Sequence, residues 1–321
     1  MRAAVCSAYG PPEVVRIEER PSPTVARGQV RVRVGAAAVN FPDVLLIADR
    51  YQISVPPPFV PGSEFAGTIV ETSDSAEGFT VGDRVTGTGL CGAFAEEVAV
   101  PAAGLSRIPD GIDDRAAAAF GVAYRTAFHT LRSMACVREG DDVIVLGAGG
   151  GVGLAAVQLA VRLGASVTAV ASSAEKLDVA AGYGATRAVN HTTADLRSAL
   201  KQAVPGGADI VIDPVGGDLS EPALRSLKRG GRFVTVGFAS GVIPRIPLNL
   251  VLVKGIRVLG FQFQDVPPDE FDRNERQLRE YLVSGRVAPH IGAVYPLAET
   301  VAALEHVATG RAIGKVLIDL A

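Results

Sequence analysis

The chain has 321 residues, a formal net charge of -3, 48% hydrophobic and 20% charged residues, 36 glycines and 20 prolines. Two domains in one polypeptide are expected at that length, and the composition is that of a folded enzyme rich in tight turns, not of a disordered chain. With no run of Lys/Arg to track phosphates, no apolar stretch of about 18 to 20 residues, and an N-terminus broken at Gly10-Pro11-Pro12 before a secretory core can form, nothing points to nucleic acid or membrane, and the cytoplasm is the expected location.

Residues 1 to about 120 read as strands and turns. Val30-Arg31-Val32-Arg33-Val34 alternates as a strand with one wet face must, and Pro56-Pro57-Pro58, Pro61-Gly62 and the glycines at 67, 78, 82, 87 and 89 punctuate short β segments. Ala116 to Ala119 reads as a turn of helix. From about 121 the pattern becomes six apolar runs alternating with helical segments, which predicts a parallel sheet covered on both faces. The runs are 143–146, 166–170, 188–189, 210–212, 233–236 and 258–259; helices are expected over 154–163, 196–203 and 219–227. After Val266-Pro267-Pro268, a charged helix over 269–283, a β segment near Val294, a helix over 298–308 and a strand over 315–318 close the chain.

The most informative segment runs from Asp142 through Val143-Ile144-Val145-Leu146 into Gly147-Ala148-Gly149-Gly150-Gly151-Val152-Gly153 and then the apolar stretch from Leu154 to Ala160. A buried strand, a glycine turn and a helix in succession place backbone N–H groups and a helix N-terminus where a dinucleotide pyrophosphate would sit. In the best register, Ala148-x-Gly150-x-x-Gly153, alanine holds the first position, which a tight turn tolerates if its φ stays negative. About twenty residues on, where an NAD-binding fold offers a carboxylate to the ribose hydroxyls, this chain has Ala171-Ser172-Ser173-Ala174-Glu175-Lys176. Two hydroxyls and an ammonium suit a 2′-phosphate, an attraction of up to about 4 kcal/mol at 4 Å and an effective dielectric near 20 before desolvation, so NADPH is favoured over NADH. The competing reading is that Ser172 and Ser173 cap a helix starting near Ala174 and leave Lys176 solvated.

Cys6, Cys91 and Cys136, odd in number and scattered, fit neither a disulfide framework nor a CxxC metal site and read as three small buried side chains. His129, His191, His290 and His306 are too dispersed to suggest a triad or metal cluster, and no GxSxG or HExxH motif is present.

Val39 to Asp43, Phe59 to Gly67, Gly82 to Val85, Gly92 to Glu97, the glycine turn, Asp213 to Gly217 and Val236 to Gly241 together resemble the zeta-crystallin-like quinone oxidoreductases of the medium-chain dehydrogenase/reductase superfamily. The resemblance covers nearly the whole chain. It implies an α/β fold: a GroES-like β domain from both chain ends, residues 1–120 and 265–321, around a central Rossmann domain, 121–264, with the active site between them. It also implies a homodimer formed through the edge of the cofactor sheet, with Gly241 to Val253 as the contact. Zinc-dependent members of the superfamily carry Cys where this chain has Asn40, His where it has Ser63, and a further thiol near Gly121-Val122-Ala123; no catalytic metal is therefore expected.

Without a metal to lower the pKa of a bound hydroxyl, an effect on the order of 12 kcal/mol, the site suits acceptors already electrophilic, such as quinones and α,β-unsaturated carbonyls. The resemblance carries Asn40 and Tyr51 to the substrate end, with Asp43 nearby orienting the loop. Tyr51 stays open between an oxyanion donor and a packing residue, and Leu45 stands where a second tyrosine is common. On the cofactor side, Thr126 matches a nicotinamide contact, Gly150, Gly151 and Val152 the pyrophosphate clamp, and Ser172, Ser173 and Lys176 the 2′-phosphate grip. His191 matches a tyrosine near the adenosine phosphate, and Phe238, Phe261 to Phe263 and Arg311 border the nicotinamide ribose and carboxamide. An enoyl-thioester or alkenal double-bond reductase and a non-catalytic NADPH-binding protein are the rival readings.

Overall fold

The computed structural model describes residues 1–76 and 78–321. The chain divides into two compact units, Met1–Val122 with Ala288–Ala321, and Ala123–Val287. In chain order the first unit opens with β1 (Arg2–Cys6), β2 (Val15–Glu19), β3 (Gln29–Val39), α1 (Phe41–Ile47), β4 (Glu64–Thr72), β5 (Arg84–Thr88), β6 (Glu97–Pro101) and β7 (Leu105–Arg107). Helix α2 (Asp114–His129) starts in this unit and ends in the second. There follow β8 (Asp142–Leu146), α3 (Gly151–Arg162), β9 (Ser166–Ala171), α4 (Ala174–Gly182), β10 (Arg187–Asn190), α5 (Leu196–Ala203), β11 (Ala208–Asp213) and α6 (Ser220–Arg225). The second unit ends with β12 (Leu227–Thr235), α7 (Leu248–Lys254), β13 (Arg257–Gly260) and α8 (Pro268–Val283). The returning tail adds β14 (Ile291–Pro296), α9 (Thr300–Ala308) and β15 (Lys315–Asp319) to the first unit.

The first unit is built on β3, whose residues Val30, Val32 and Val34 face the core while Arg31 and Arg33 reach outward, as the alternation predicts. From Ala36 the strand is buried on both faces, and alanine is what makes this possible. Ala36, Ala38 and Ala66 pack against Ala117, Ala118 and Ala119, so Ala116 to Ala119 do lie in a helix. The sheet runs β14-β15-β3-β4-β5-β7, with β6 also paired to β3, and is antiparallel except where β14 meets β15. The strand-and-turn reading of this segment missed α1. Pro42 sits at the start of that helix, where its missing N–H is no loss, and Asp43 Oδ2 accepts a 2.7 Å hydrogen bond from the Asn40 N–H in the manner of a capping box.

The second unit holds a six-stranded parallel sheet in the order β10-β9-β8-β11-β12-β13. Counted from β8, that is 3-2-1-4-5-6, the doubly wound dinucleotide-binding order. All six apolar runs read from the sequence fall in strands of it, the fifth running one residue past β12; those in the inner strands β8, β9 and β11 are buried on both faces and so lack alternation, while Ala188 and Val258, in the edge strands β10 and β13, are exposed.

The second unit extends to Val287, beyond the expected boundary at 264/265. The reason lies in α8, which packs with its own unit: Tyr281 meets Phe128 edge-on at 6.0 Å, and Glu275 reaches both Arg125 and His129 at 2.9 Å. The cysteines also depart from expectation. Cys6 is buried, but Cys91 is only partly covered and Cys136 is exposed, with a φ of 49°.

Candidate active site

At the carboxyl end of β8 the chain turns through Gly147, whose φ of 60° is open to glycine but strained for any other residue, and Ala148 follows outside the left-handed region as its side chain requires. Gly150 caps α3 in an extended conformation. A Cβ on Gly153 would stand 2.0 Å from the Gly147 carbonyl oxygen, and one on Gly149 would meet the Lys176 side chain at 2.6 Å. The glycines therefore let the first turn of α3 lie directly against the loop, with Gly150, Gly151 and Val152 partly open at its start.

The adjoining strands supply the rest of the cradle. Ser173 caps α4, its Oγ accepting from the Lys176 N–H at 3.3 Å, while the Lys176 ammonium donates to Ser172 Oγ at 3.4 Å. Ser173 is thus a helix cap, as the competing reading held. Lys176, however, is half-buried across Gly149 rather than solvated, and burial lowers its pKa from the ordinary lysine value. His191 follows β10, its N–H donating to the Ala171 carbonyl at 3.1 Å; burial, and then the Lys176 charge, push its imidazole below the ordinary value, so it is neutral at pH 7.

Across the switch point, β11 ends in Asp213, a residue that sequence reasoning quoted only as part of a motif. Its buried carboxylate accepts from the Val215 and Gly216 N–H groups at 2.8 Å each and from Ser220 Oγ at 2.6 Å. This fixes the loop at Gly216 and Gly217, which packs against Phe238: a Cβ on Gly216 would meet the Phe238 ring at 2.9 Å. Loops after β8, β9, β11 and β12 so converge at the carboxyl ends of the parallel strands, where open α/β sheets bind their ligands.

The remaining cofactor-side residues divide. Thr126 lies half-buried on α2, beside Arg125. Phe261 is buried and meets Phe263 edge-on at 4.9 Å; Phe263 in turn meets His129 at 5.8 Å and lies 5.5 Å from the Arg125 guanidinium. His129 is wholly buried, stacked on Phe271 and bonded to Glu275, so it serves packing in the second unit. Burial alone would raise the Glu275 carboxyl, but its contacts with His129 and Arg125 outweigh it and hold the group below its ordinary value. Arg311 belongs to the first unit, is exposed, and donates to Thr309 Oγ1 at 2.9 Å.

The substrate-side candidates Asn40 and Asp43 share a buried polar network in the first unit whose other members sequence reasoning did not find. Asn40 Oδ1 accepts from the Lys315 ammonium at 2.6 Å, and Asn40 Nδ2 donates to Glu64 Oε2 at 3.1 Å and Ser63 Oγ at 3.4 Å. Lys315 also pairs with Glu64 Oε2 at 3.1 Å, and Glu64 Oε1 accepts from the Val122 N–H at 2.6 Å. Glu64 and Lys315 come from opposite ends of the chain; only the β3–β15 and β3–β4 pairings bring them together. Asp43 is fully buried, Oδ2 bound by the Asn40 N–H and Oδ1 without a hydrogen bond of good geometry, although the Ser63 hydroxyl is near enough to act on the carboxyl. Burial pushes its pKa up to about 7, against the pull of the Asn40 N–H, the Ser63 hydroxyl and the Lys315 charge. Tyr51 packs half-buried against the core of this unit, and its hydroxyl bonds to no other side chain or backbone group among the described residues.

Among the described residues, no group of three or more His, Cys, Asp and Glu stands together to hold a metal ion. The donors here are an amide, a hydroxyl and a carboxylate already committed to Lys315, not the thiolates and imidazoles that zinc prefers.

The fold and the glycine cradle define a two-domain nucleotide-dependent dehydrogenase or reductase. Residues 26–110 match the alcohol dehydrogenase GroES-like domain family and residues 151–279 the zinc-binding dehydrogenase family. The quinone oxidoreductase-like protein 2 of Bos taurus is 39% identical over 326 residues, covering 99% of this chain and 92% of its own. The human quinone oxidoreductase is 31% identical over 324 residues, covering 100% of this chain and 98% of its own. The Escherichia coli quinone oxidoreductase, solved in complex with NADPH, superposes with a TM-score of 0.91 at 26% identity, over 99% of this chain and 100% of that one. The chain belongs to the zinc-free, quinone oxidoreductase-like branch of the medium-chain dehydrogenase/reductase family, and is an oxidoreductase.

Proposed function

We propose that the protein uses NADPH to reduce a quinone or a small α,β-unsaturated carbonyl without a catalytic metal. The observation that carries this is the cradle at the switch point, where Lys176 and Ser172 stand in place of a ribose-binding carboxylate. The residues fit the cofactor: Gly149 and Gly153 leave room that a Cβ would fill, Gly151 and Val152 carry the first backbone N–H groups of α3, and Gly150, whose own N–H donates to the Gly147 carbonyl at 2.9 Å, holds the turn before them. The Escherichia coli protein's complex with NADPH supports the same choice. When bound, NADPH supplies a hydride.

The chain's own part is to bind, orient and handle one proton. Ser172 and Lys176 hold the 2′-phosphate, Ser173 keeps α4 and hence Lys176 in place, and His191, neutral, borders the adenosine end without adding charge. Thr126, Phe238, Phe261, Phe263 and Arg311 remain the proposed nicotinamide-side contacts. On the substrate side, Asn40 orients the polar network and spends its amide within it, so Tyr51, whose hydroxyl is uncommitted, is the better oxyanion donor. Asp43, with a pKa near 7, holds a proton that completes the two-electron reduction. A homodimer fits the second unit: β13 is an edge strand, and Leu248, Leu252 and Val253 on α7 are 75%, 83% and 64% exposed. No helix among the described residues is long and apolar enough to cross a membrane, and a cytoplasmic location is proposed with it.

The test is loss of reduced-nicotinamide absorbance with purified protein, NADPH or NADH, chelator throughout, and 1,4-benzoquinone, 9,10-phenanthrenequinone, an alkenal or crotonyl-CoA as acceptor. Turnover of a quinone or alkenal with NADPH is expected. Turnover of the thioester alone, or tight NADPH binding with no acceptor turned over, would replace the proposal.

A further inference from the structure

The second unit carries a second recess at the opposite end of its sheet. A cavity of about 410 Å³ opens where β11 and β12 begin, and its rim holds five cations, Arg197, Lys201, Arg225, Lys228 and Lys254, with no acidic residue in its lining. The cofactor cradle lies at the far ends of these parallel strands. The six residues of β11 alone separate the two by about 17 to 20 Å. In sequence the five cations are scattered over nearly sixty positions; only the packing of α5, α6, β12 and α7 gathers them, in a chain whose overall charge is -3.

Helix electrostatics account for part of this group. Lys201, Arg225 and Lys254 sit in the last turns of α5, α6 and α7, where a cation is favoured, and Lys254 caps α6 outright, donating to the Arg225 and Leu227 carbonyls at 2.6 and 2.7 Å. Arg225 also pairs with Glu221, and Lys228 with Asp209. Arg197 answers to Asp195, the cap of α5, whose carboxyl is held below its usual range by its hydrogen bonds with Ser198 and then by the Arg197 charge. It lies in the first turn of α5, where the helix dipole opposes a cation, and one turn before Lys201, so the two like charges share a face with no acid between them. The Lys254 ammonium is depressed below the ordinary lysine value by burial and by the Arg225 charge, and the acids nearest the five cations, Asp195, Asp209 and Glu221, stand outside the lining of the recess. An anion entering the recess would meet these cations with no carboxylate in the lining to repel it.

We propose that this recess is a second binding site for a small diphosphate-bearing molecule. The diphosphate sits between Arg197, Lys201 and the unspent donors of Arg225 and Lys228, and the organic group lies on the apolar wall formed by Val204 and Leu250. The volume is in the range of small-ligand sites and too small to follow a nucleic-acid backbone. The site is separate from the cofactor cradle, and the proposal does not depend on the acceptor that the enzyme reduces.

The test is calorimetric titration of the NADPH-saturated protein with inorganic pyrophosphate, and with sulfate at matched ionic strength. Pyrophosphate is expected to bind at least tenfold more tightly than sulfate, to lose at least tenfold in Arg197→Gln/Lys201→Gln, and to be unaffected by Lys176→Ala. Without pyrophosphate the double variant should melt no lower than wild type, because a like-charge pair has been removed, and NADPH turnover should be unchanged. Equal affinity for sulfate, indifference to the double variant, loss of binding in Lys176→Ala, or a short single-stranded RNA that outcompetes pyrophosphate would each overturn the proposal.

Discussion

Lys176 combines two arrangements that the sequence presents as alternatives. Its backbone is held by the Ser173 cap while its side chain crosses Gly149 to Ser172. Lys176→Ala should therefore raise the KM for NADPH by about tenfold to a hundredfold, the equivalent of 1.4 to 2.8 kcal/mol, and leave the KM for NADH nearly unchanged, as steady-state kinetics with both cofactors will show. Ser173→Ala should cost about 1 kcal/mol of stability through the lost cap. Asp43 carries a pH signature. Its native pKa of about 7 lies above the ordinary carboxyl value of 3.8, so the folded state holds the proton more tightly. The associated stability is fully present below about pH 4 and is lost as pH rises through 7. Asp43→Asn should remove that dependence, so denaturant midpoints of wild type and variant, compared at pH 5 and 8, should move in the variant's favour at pH 8.

Glu64 and Lys315 turn strand pairing into chemistry at the scale of the element. β4 and β15 flank β3 on opposite sides, and each presents one buried charge to Asn40 at the end of β3. Lys315→Met would leave the Glu64 carboxylate buried without its partner and should destabilise the protein by about 3 to 5 kcal/mol. Glu64→Gln/Lys315→Met should recover most of that loss in chemical denaturation, because no buried charge then remains. Helix α8 shows why the second compact unit runs past residue 264. Its prolines mark a break in the chain, but Tyr281 and Glu275 return it to Phe128, Arg125 and His129 of the second unit.

For the whole molecule, the exposed row on α7 and the free edge of β13 are the features that a partner copy would cover. If the proposed homodimer forms through them, Leu252→Asp should shift it to monomer in size-exclusion chromatography with light scattering, while the turn at Gly147 to Gly153 is untouched. The sequence by itself determined the parallel sheet, the glycine turn and the hydroxyl–lysine signature after β9, because apolar runs, left-handed glycines and helix caps are set by residues close together in the chain. It also determined the absence of the thiol and imidazole ligands, which is a matter of residue identity. Only the tertiary structure decided that Asp43 is buried, that Glu64 and Lys315 close the network around Asn40, and that cations from α5, α6, β12 and α7 share one recess. Burial and charge pairing depend on which distant segments meet, and no local pattern records that.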